Sequence, residues 1–343
     1  MKGIVTSREI CKDNKKYRKG ITQVKLKTNG EGVMQSGKKT KPQHSKKQKP
    51  WQLYLMSAIP ILLVFIFNYL PMAGVVIAFK DYRYDKGIFG SDWAGLRFFR
   101  LFFAGKNFQR VVGNTLLMNA IFIVTGTIAC IALALLLYYV KSKNVVKFSQ
   151  TLLITPNFVS WVIAAYVVYT VLSPTSGFLN QFLGALGLET PDWYTIPEAW
   201  RVFLPIINIW KGFGMGCILY YATFIGVDPA LLEAAELDGA STWVKIRHIL
   251  LPSIKTILII TTILNIGSIF SADFGLFYNV PRNVSLLYPT TDVLSTYIYR
   301  VMHSEANYSL SAAAGLCQSV VGMILVVITN AVVRKIEPEN SLY

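Results

Sequence analysis

The residues that could carry catalytic or metal chemistry are few in this chain of 343 residues, and they are scattered. Its three histidines, His44, His248 and His303, lie far apart, and no His-Glu-x-x-His, Gly-x-Ser-x-Gly or Cys-x-x-Cys pattern occurs. The four cysteines show neither metal nor disulfide spacing, so we interpret them as small core residues. The sequence therefore predicts no catalytic residue and no metal site.

One stretch near the amino end comes close to a nucleotide-binding motif. Residues 32–39 are Gly-Val-Met-Gln-Ser-Gly-Lys-Lys, which nearly matches a phosphate-binding loop. However, Lys39 stands where a Ser or Thr should meet magnesium, no predicted strand precedes the stretch, and no amphipathic helix follows it. We therefore expect no ATP site and no cofactor in this chain.

Uncharged polar residues inside or beside long apolar stretches offer a different kind of chemistry. Amides and hydroxyls can hydrogen-bond a neutral polar solute such as a sugar, and aromatic rings supply flat faces for it. The alternative is that these side chains join helices to one another, which is their commoner use in membranes. Our candidates for a substrate path are Asn119, Asn208, Asn265, Ser268 and Trp161.

The elements that must position these residues are membrane-spanning helices. Hydrophobic residues make up 53% of the chain and charged residues only 15%, as is typical of a polytopic membrane protein. Spans in lipid must be helical, because unpaired backbone groups are costly there. We predict an all-α integral membrane protein with six transmembrane helices, at about 53–79, 115–140, 151–172, 202–224, 256–270 and 312–333. Kinks are expected at Pro60 and Pro71, and the short fifth span could extend toward Phe277.

The absence of acidic residues from the predicted spans argues against an ion-driven carrier. No acid lies inside the six predicted spans, whereas proton- and sodium-driven carriers depend on intramembrane carboxylates. Lys211 is the one basic residue within a span. We expect it to snorkel or to mark the end of the helix, with anion binding as the alternative. Energy for any transport must therefore come from another protein.

Most of the net charge of +16 lies at the amino end. Residues 1–50 hold 15 Lys or Arg and three acids without apolar periodicity, so we expect a disordered cytoplasmic tail. A topology signal or an anchor for anionic lipid heads accounts for its charge. Nucleic-acid binding would require interleaved aromatic residues, and Tyr17 is the only one. Under the positive-inside rule, both termini of this multi-pass protein are expected on the cytoplasmic side of the cell membrane.

A mixed-charge interval in the second half, residues 225–254, predicts two short helices joined by a turn. Asp228 is a good N-cap, and the proline that follows suits the first helical position. Gly239 can adopt the left-handed conformation that ends the first helix. Ser241 can cap the second helix, and Pro252 should kink or end it. With apolar runs on either side, this is most simply a large loop at a membrane face.

That loop, residues 225–255, resembles the EAA loop of permease subunits in binding-protein-dependent ABC importers. The pattern is Glu-Ala-Ala, three residues, Gly, some nine residues and Ile-x-Leu-Pro, and nearly all of it is present. Ile246 departs from the aromatic residue often found there, although Trp243 nearby can supply that bulk. The resemblance implies that contact with an ATPase is made by Glu233, Ala234, Ala235, Asp238, Gly239, Ala240, Trp243, Ile246, Leu251 and Pro252. The alternative is an ordinary cytoplasmic loop.

Residues 51–343 as a whole resemble the maltose-type sugar permeases, and 275–308 is similar to a segment of the branch that takes up oligosaccharides and polysaccharides. The resemblance implies the type I permease fold of ABC importers and a second homologous permease subunit. It also implies two cytoplasmic ATPases that hold ATP and Mg, and an extracytoplasmic solute-binding protein that delivers the sugar. If 275–308 meets that protein or the sugar, Arg282 and Asp292 are the charges expected to contribute.

The expected function is therefore translocation of a sugar, in particular an oligosaccharide, driven by partner ATPases. Two alternatives remain open. The first is an importer of the same build for another solute, such as peptide or phosphate. The second is a membrane scaffold or receptor with no transport activity.

Overall fold

The computed structural model describes residues 51–336, so the predicted tail of residues 1–50 lies outside the described residues. The chain divides into two units between Pro60 and Ile61. Across the described range, regular structure is helical apart from one short antiparallel pair of strands, β1 (Lys80–Asp81) and β2 (Asp92–Trp93). The expected all-α class is therefore confirmed.

The first predicted span is a helix whose hydrogen-bond register changes along its length. Helix α1 (Trp51–Val64) is followed by a π-helical turn at Phe65–Tyr69, by α2 (Leu70–Met72) and by a 3₁₀ segment at Ala73–Phe79. In the π turn the N–H of Leu70 donates to the carbonyl of Phe65, five residues back. Pro71 has no N–H to donate and its ring crowds the preceding turn, which the wider π turn accommodates. At Pro71, where the sequence predicts a kink, the structure therefore shows a local change from α-helical to π-helical hydrogen bonding.

The remaining helices follow in chain order. Between the first span and the middle of the chain lie α3 (Gly87–Gly90), α4 (Arg97–Ala104), α5 (Lys106–Tyr139), α6 (Lys143–Ile154), α7 (Trp161–Leu172) and α8 (Phe178–Ala185). The second half contains α9 (Trp200–Ile225), α10 (Pro229–Leu237), α11 (Thr242–Lys245), α12 (Leu251–Ser253), α13 (Lys255–Gly267), α14 (Phe274–Asn279), α15 (Tyr288–Thr291), α16 (Leu294–His303) and α17 (Tyr308–Ile336). Short 3₁₀ segments lie at Thr155–Phe158, Trp193–Thr195, Pro197–Ala199 and Ser285–Leu287.

Within residues 51–336, four stretches are long and apolar enough to cross a membrane by themselves, and the total is six if each of two bent helix pairs forms one span. The continuous ones are Tyr54–Phe79, Lys106–Tyr139, Pro197–Ile225 and Tyr308–Lys335. They correspond to the predicted first, second, fourth and sixth spans. The third and fifth predicted spans correspond to the bent pairs.

The third span is not the single helix that its apolar sequence suggested. Lys143–Phe158 and Trp161–Leu172 meet at an angle of 103°. Pro156 lies in the 3₁₀ segment that ends the first part, and the Ser160 hydroxyl accepts from the N–H of Ile163 to cap α7. The sequence therefore contains a helix-ending signal, Pro156, and a helix-starting signal, Ser160, four residues apart. The uninterrupted apolar run across them nevertheless predicted a single helix.

The fifth span bends by 57° between Thr242–Ser253 and Lys255–Gly267. A π turn at Ile246–Leu250 again precedes a proline, Pro252, as expected of a residue that interrupts the helical ladder. Beyond Gly267 the helix stops, and α14 is a separate element. The expected extension of this span toward Phe277 is therefore wrong.

Helices α5 and α9 pack along much of their length. Glycines on α9 allow close approach to its neighbours, because a Cβ at Gly216 would lie 2.7 Å from the Sγ of Cys130 on α5, and one at Gly214 would overlap the backbone of Leu153 near the end of α6. Small residues at helix contacts are the usual means of packing in membranes. By contrast, many large apolar side chains of the candidate spans are exposed, such as Phe67 (71%) and Leu136 (67%). Lipid or other membrane subunits must cover them.

Candidate functional site

A cavity of about 490 Å³ lies among α5, α9 and α13. Phe122, which packs against one cluster of buried side chains, and Tyr220, which belongs to another, both line it, so the cavity lies between these two cores. Four of the five residues predicted for a substrate path also line it, namely Asn119, Asn208, Asn265 and Ser268. The tertiary structure thus brings together polar residues from three helical segments.

The polar residues of the cavity are not equivalent. The Nδ2 of Asn119 donates to the carbonyls of Thr115 (3.0 Å) and Ile269 (2.8 Å), so this amide also joins α5 to the chain after α13. The Ser268 hydroxyl is bonded to carbonyls of its own helix. Among the described residues, neither Asn208 nor Asn265 has a side-chain hydrogen-bond partner. Both amides therefore retain their capacity to bind a solute.

Trp161, the fifth predicted residue, lies beside the cavity lining. Its indole Nε1 donates to Oδ2 of Asp273 at 2.8 Å, and Asp273 itself lines the cavity. The Nζ of Lys211 lies 4.9 Å from the centre of the Trp161 ring and donates to the carbonyl of Asn157 at 3.0 Å. Lys211 is thus bound within the protein, in a cation–π contact that fixes the ring.

Sequence reasoning missed several residues of the cavity. One of them is Asp273, which caps α14 by accepting from the N–H of Leu276 at 3.2 Å. An aspartate just before an apolar stretch is an N-cap signal that could have placed it. The Tyr220 hydroxyl, 3.1 Å from Oγ1 of Thr261, also lines the cavity, as does Thr127.

The predicted helix–turn–helix has the local structure that its residues indicated. Oδ1 of Asp228 accepts from the N–H of Ala230 at 2.9 Å, and α10 begins at the proline between them. Gly239 has a φ of +75°, and the Ser241 hydroxyl accepts from the N–H of Val244 at 3.4 Å. The structure thus confirms the predicted N-caps at Asp228 and Ser241 and the predicted left-handed conformation of Gly239.

The ten residues assigned to ATPase contact divide by exposure. Four of them are half-buried, and they are Ala235, Ala240, Ile246 and Leu251. The other six are exposed, and they are Glu233, Ala234, Asp238, Gly239, Trp243 and Pro252. Ile246 and Leu251 pack against a core that includes Phe224 and Leu250, whereas the Trp243 side chain is 67% exposed. The helix–turn–helix therefore has one side that packs against the rest of the chain, with Ile246 and Leu251, and one exposed side that carries Trp243.

Asp292 lies in the core of the segment 275–308 and is 1% exposed. The Arg300 guanidinium donates two hydrogen bonds to the Asp292 carboxylate, of 2.9 and 2.8 Å, and the guanidinium of Arg110 on α5 donates a third at 3.1 Å. Asn114 donates to the Asp292 carbonyl at 3.1 Å. Asp292 therefore fastens this segment to α5, and it is not available to an incoming protein or sugar as the sequence suggested.

Comparison with known proteins places the chain in a family. Residues 102–338 match the model of the family described as binding-protein-dependent transport system inner membrane component. The chain is 34% identical to Protein LplB of Bacillus subtilis over 308 residues, which is 90% of this chain and 96% of LplB. It is also 34% identical to the polygalacturonan/rhamnogalacturonan transport system permease protein YteP of the same organism, over 84% of this chain and 89% of YteP.

The fold agrees with that family. A bacterial ABC transporter involved in the import of the acidic polysaccharide alginate contains a chain 35% identical to this one, with a TM-score of 0.76, covering 84% of this chain and 96% of that one. A second structure of the alginate transporter, in complex with an alginate pentasaccharide-bound periplasmic protein, gives a TM-score of 0.74. The chain described here therefore belongs to the family of inner membrane components of binding-protein-dependent transport systems.

Proposed function

We propose that this chain is a permease subunit of an ATP-driven ABC importer and that it translocates an oligosaccharide across the cell membrane. The observation that carries the proposal is the cavity lined by amides and hydroxyls, in a chain similar over most of its length to permeases named for polysaccharide transport. Membrane cavities built for ions use carboxylates or carbonyl rings. The carboxylate in this lining, Asp273, already accepts from the indole of Trp161 and from the N–H of Leu276, so the other polar side chains of the lining are the neutral donors and acceptors that a sugar needs.

Asn208 and Asn265 are the residues we assign to the sugar. Their side-chain amides lack partners in the described chain, and they belong to two different helices that line the cavity, α9 and α13. Each amide can donate and accept, so each can bond a sugar hydroxyl in either sense. Asn119 and Ser268 contribute less, because their bonds to backbone carbonyls are already made.

Energy enters through partner subunits. The sequence offers no nucleotide-binding motif, so two cytoplasmic ATPases would bind ATP and Mg. The exposed side of the helix–turn–helix, with Glu233 and Trp243, is the surface we assign to them. ATP would favour one conformation of the permease pair over the other, and differential binding of this kind is what turns the cavity outward or inward.

The remaining partners are a second permease and a solute-binding protein. A homologous permease would complete the translocation path and cover part of the exposed apolar surface. An extracytoplasmic solute-binding protein would deliver the sugar, and the similar alginate transporter was solved in complex with an alginate pentasaccharide-bound periplasmic protein. Both termini of the chain would then lie in the cytoplasm, as its distribution of Lys and Arg favours.

Uptake by the assembled transporter tests the proposal. The complex is purified through this chain, its co-purifying subunits are identified, and ATP-driven uptake of labelled oligosaccharides is measured in vesicles. Asn208→Ala and Asn265→Ala should each raise the half-saturating concentration about fivefold, the loss expected for one hydrogen bond. Asn144→Ala is the matched control, because Asn144 is exposed at the start of α6 and outside the cavity.

The alternatives predict other results. Uptake of a peptide or of phosphate, with no uptake of any oligosaccharide, would assign the chain to another solute. A complex that contains no ATPase and moves no solute would indicate a scaffold or receptor.

A further inference from the structure

A second, smaller pocket of about 210 Å³ lies between α7 and the chain around the end of α14. Its polar lining consists of three tyrosines, two asparagines and one arginine, which are Tyr166, Tyr169, Tyr278, Asn279, Asn283 and Arg282. None of these residues belongs to the cavity described above. The pocket therefore combines flat aromatic faces, amides and a positive charge in a space of the order of one sugar ring.

Arg282 is the charged group of this pocket, and its charge is not neutralised. Its guanidinium carbon lies 4.2 Å from the centre of the Tyr169 ring, a cation–π distance that holds the side chain over the pocket. Among the described residues no carboxylate forms an ion pair with it, whereas Arg300 and Arg97 are paired with Asp292 and Asp81. The planar guanidinium of an arginine can donate two parallel hydrogen bonds to a carboxylate.

Arg282 occupies the left-handed position of the turn that ends α14, where its N–H donates to the carbonyl of Asn279 at 3.1 Å. Arg282 and Asn283 have φ values of +56° and +50°, and the N–H of Asn283 donates to the carbonyl of Tyr278 at 3.1 Å as the chain leaves α14. Asparagine suits this left-handed conformation, whereas an arginine costs free energy there that glycine would avoid. The turn therefore fixes the position of a charged side chain at the edge of the pocket.

The amides add directed hydrogen bonds. Oδ1 of Asn283 accepts from the Tyr288 hydroxyl at 3.0 Å, which orients the amide and leaves its NH₂ as a donor. Nδ2 of Asn279 donates to the carbonyl of Gly275 at 2.9 Å, which leaves its Oδ1 as an acceptor. A polar ring lying on a tyrosine face would meet both a donor and an acceptor at its edge.

We propose that this pocket is a subsite for one carboxylate-bearing sugar ring, a uronate, of the incoming oligosaccharide. Arg282, held on the ring of Tyr169, pairs with the carboxylate, the exposed ring of Tyr166 lies beside the sugar ring, and the two asparagines bond its hydroxyls. The proposal rests on the proposed function, since it names the class of sugar that the importer takes. It adds a specificity determinant that lies outside the translocation cavity.

The position of the pocket fits such a role. Asp273, the N-cap of α14, lines the cavity, and the helix ends next to the pocket. Its six residues span about 9 Å. An oligosaccharide is long enough to occupy the pocket with one ring while its next rings enter the cavity. Helix α14 also packs against α7, and residues of both helices line the pocket.

Equilibrium binding of two matched probes tests the subsite. The transporter, purified through this full chain with its subunits and without solute-binding protein, is placed in lipid nanodiscs and titrated with trigalacturonate and with its methyl ester, which lacks the charge. Wild type should bind trigalacturonate about tenfold more tightly, the usual gain from a charge-assisted pair. Arg282→Gln should abolish that preference and leave ester binding within about twofold. Arg282→Lys should keep part of it, because lysine retains the charge and loses the planar guanidinium.

Arg201→Gln is the matched control, an exposed arginine at the start of α9 that should leave both affinities unchanged. Equal or undetectable binding of the two probes by wild type would overturn the subsite, as would an Arg282→Gln variant that keeps the preference. A variant whose only defect is weaker binding of the solute-binding protein would also overturn it, because Arg282 would then contact protein. ATP-driven uptake of neutral oligosaccharides with no preference for charge would reject the subsite and leave the proposed function standing.

Discussion

The Nζ of Lys245 lies 2.6 Å from Oε1 of Glu236, so an ion pair closes the turn between α10 and α11. The hydrogen bond from Lys245 holds the pKa of the Glu236 carboxyl below its usual range. Glu233, on the same short helix, is exposed and has no ion pair among the described residues. Of these two glutamates, Glu236 is therefore engaged within the chain and Glu233 is available to a partner.

This difference predicts unequal effects of two similar changes. Glu233→Gln should reduce both retention of the ATPase on purification and ATP hydrolysis stimulated by liganded binding protein, because a partly buried charge pair between proteins is lost. Glu236→Gln removes the same charge three residues along, and it should change both measurements little, since exposed ion pairs contribute little. Equal behaviour of the two variants would contradict the assignment of Glu233.

Gly239 tests whether the angle between the two short helices matters. A Cβ there would meet no atom within 4 Å, so the cost of a side chain is the positive φ of +75° alone. Gly239→Val should cost about 1 kcal/mol or more and tilt α11 with Trp243. Gly239→Asn, which tolerates a positive φ, should be milder. Both should insert and pair with the second permease, with stimulated ATP hydrolysis lost in the valine variant. Normal hydrolysis by Gly239→Val would refute the coupling role.

Gly275 is predicted to be required for the position of Trp161. A Cβ at Gly275 would overlap the Trp161 ring and push it away from Asp273 and Lys211. Gly275→Ala should destabilise the fold by about 1–3 kcal/mol, as overpacking does. Gly113→Ala is the control, because its Cβ would meet nothing within 4 Å and alanine favours the helix. Thermal unfolding in detergent compares the two, and an unchanged midpoint for Gly275→Ala would be inconsistent with this packing.

Asp292 is predicted to stabilise the fold and not to select the solute. Asp292→Asn leaves Arg300 and Arg110 without their carboxylate and should cost about 3–5 kcal/mol, seen as low yield and a lower unfolding midpoint. Asp81→Asn, which breaks an exposed pair with Arg97, should cost about 1 kcal/mol at most. A stable Asp292→Asn variant with altered half-saturation for uptake would argue for a binding role.

Membrane orientation is checked by labelling single cysteines in intact cells after the native cysteines are removed. A cysteine at Ser241 should be shielded from impermeant thiol reagents, because the helix–turn–helix is predicted to lie in the cytoplasm. One at Gly184, at the carboxyl end of α8, should react. Permeabilised cells provide the control, since both positions should then label. Labelling of the Ser241 position from outside would reverse the topology.

Local features could be predicted from the sequence because they depend on neighbouring residues. An aspartate before a proline starts a helix, a glycine permits the left-handed turn, and a serine caps the next helix, whichever fold surrounds them. Asp228, Gly239 and Ser241 have these roles in the structure. Membrane spans can likewise be predicted from length and hydropathy, because unpaired backbone N–H and C=O groups are costly in lipid and a spanning segment must therefore be helical.

The partners of the polar side chains were decided only by the tertiary structure. Asn119, Asn208 and Asn265 are far apart in sequence, and only the packing of α5, α9 and α13 makes them line one cavity. Sequence spacing likewise could not show that Asp292 is buried between Arg110 and Arg300, or that Glu236 is paired while Glu233 is free among the described residues. Hydrogen bonds and ion pairs act over a few ångströms, so their partners are determined by how the helices pack and not by the order of residues along the chain.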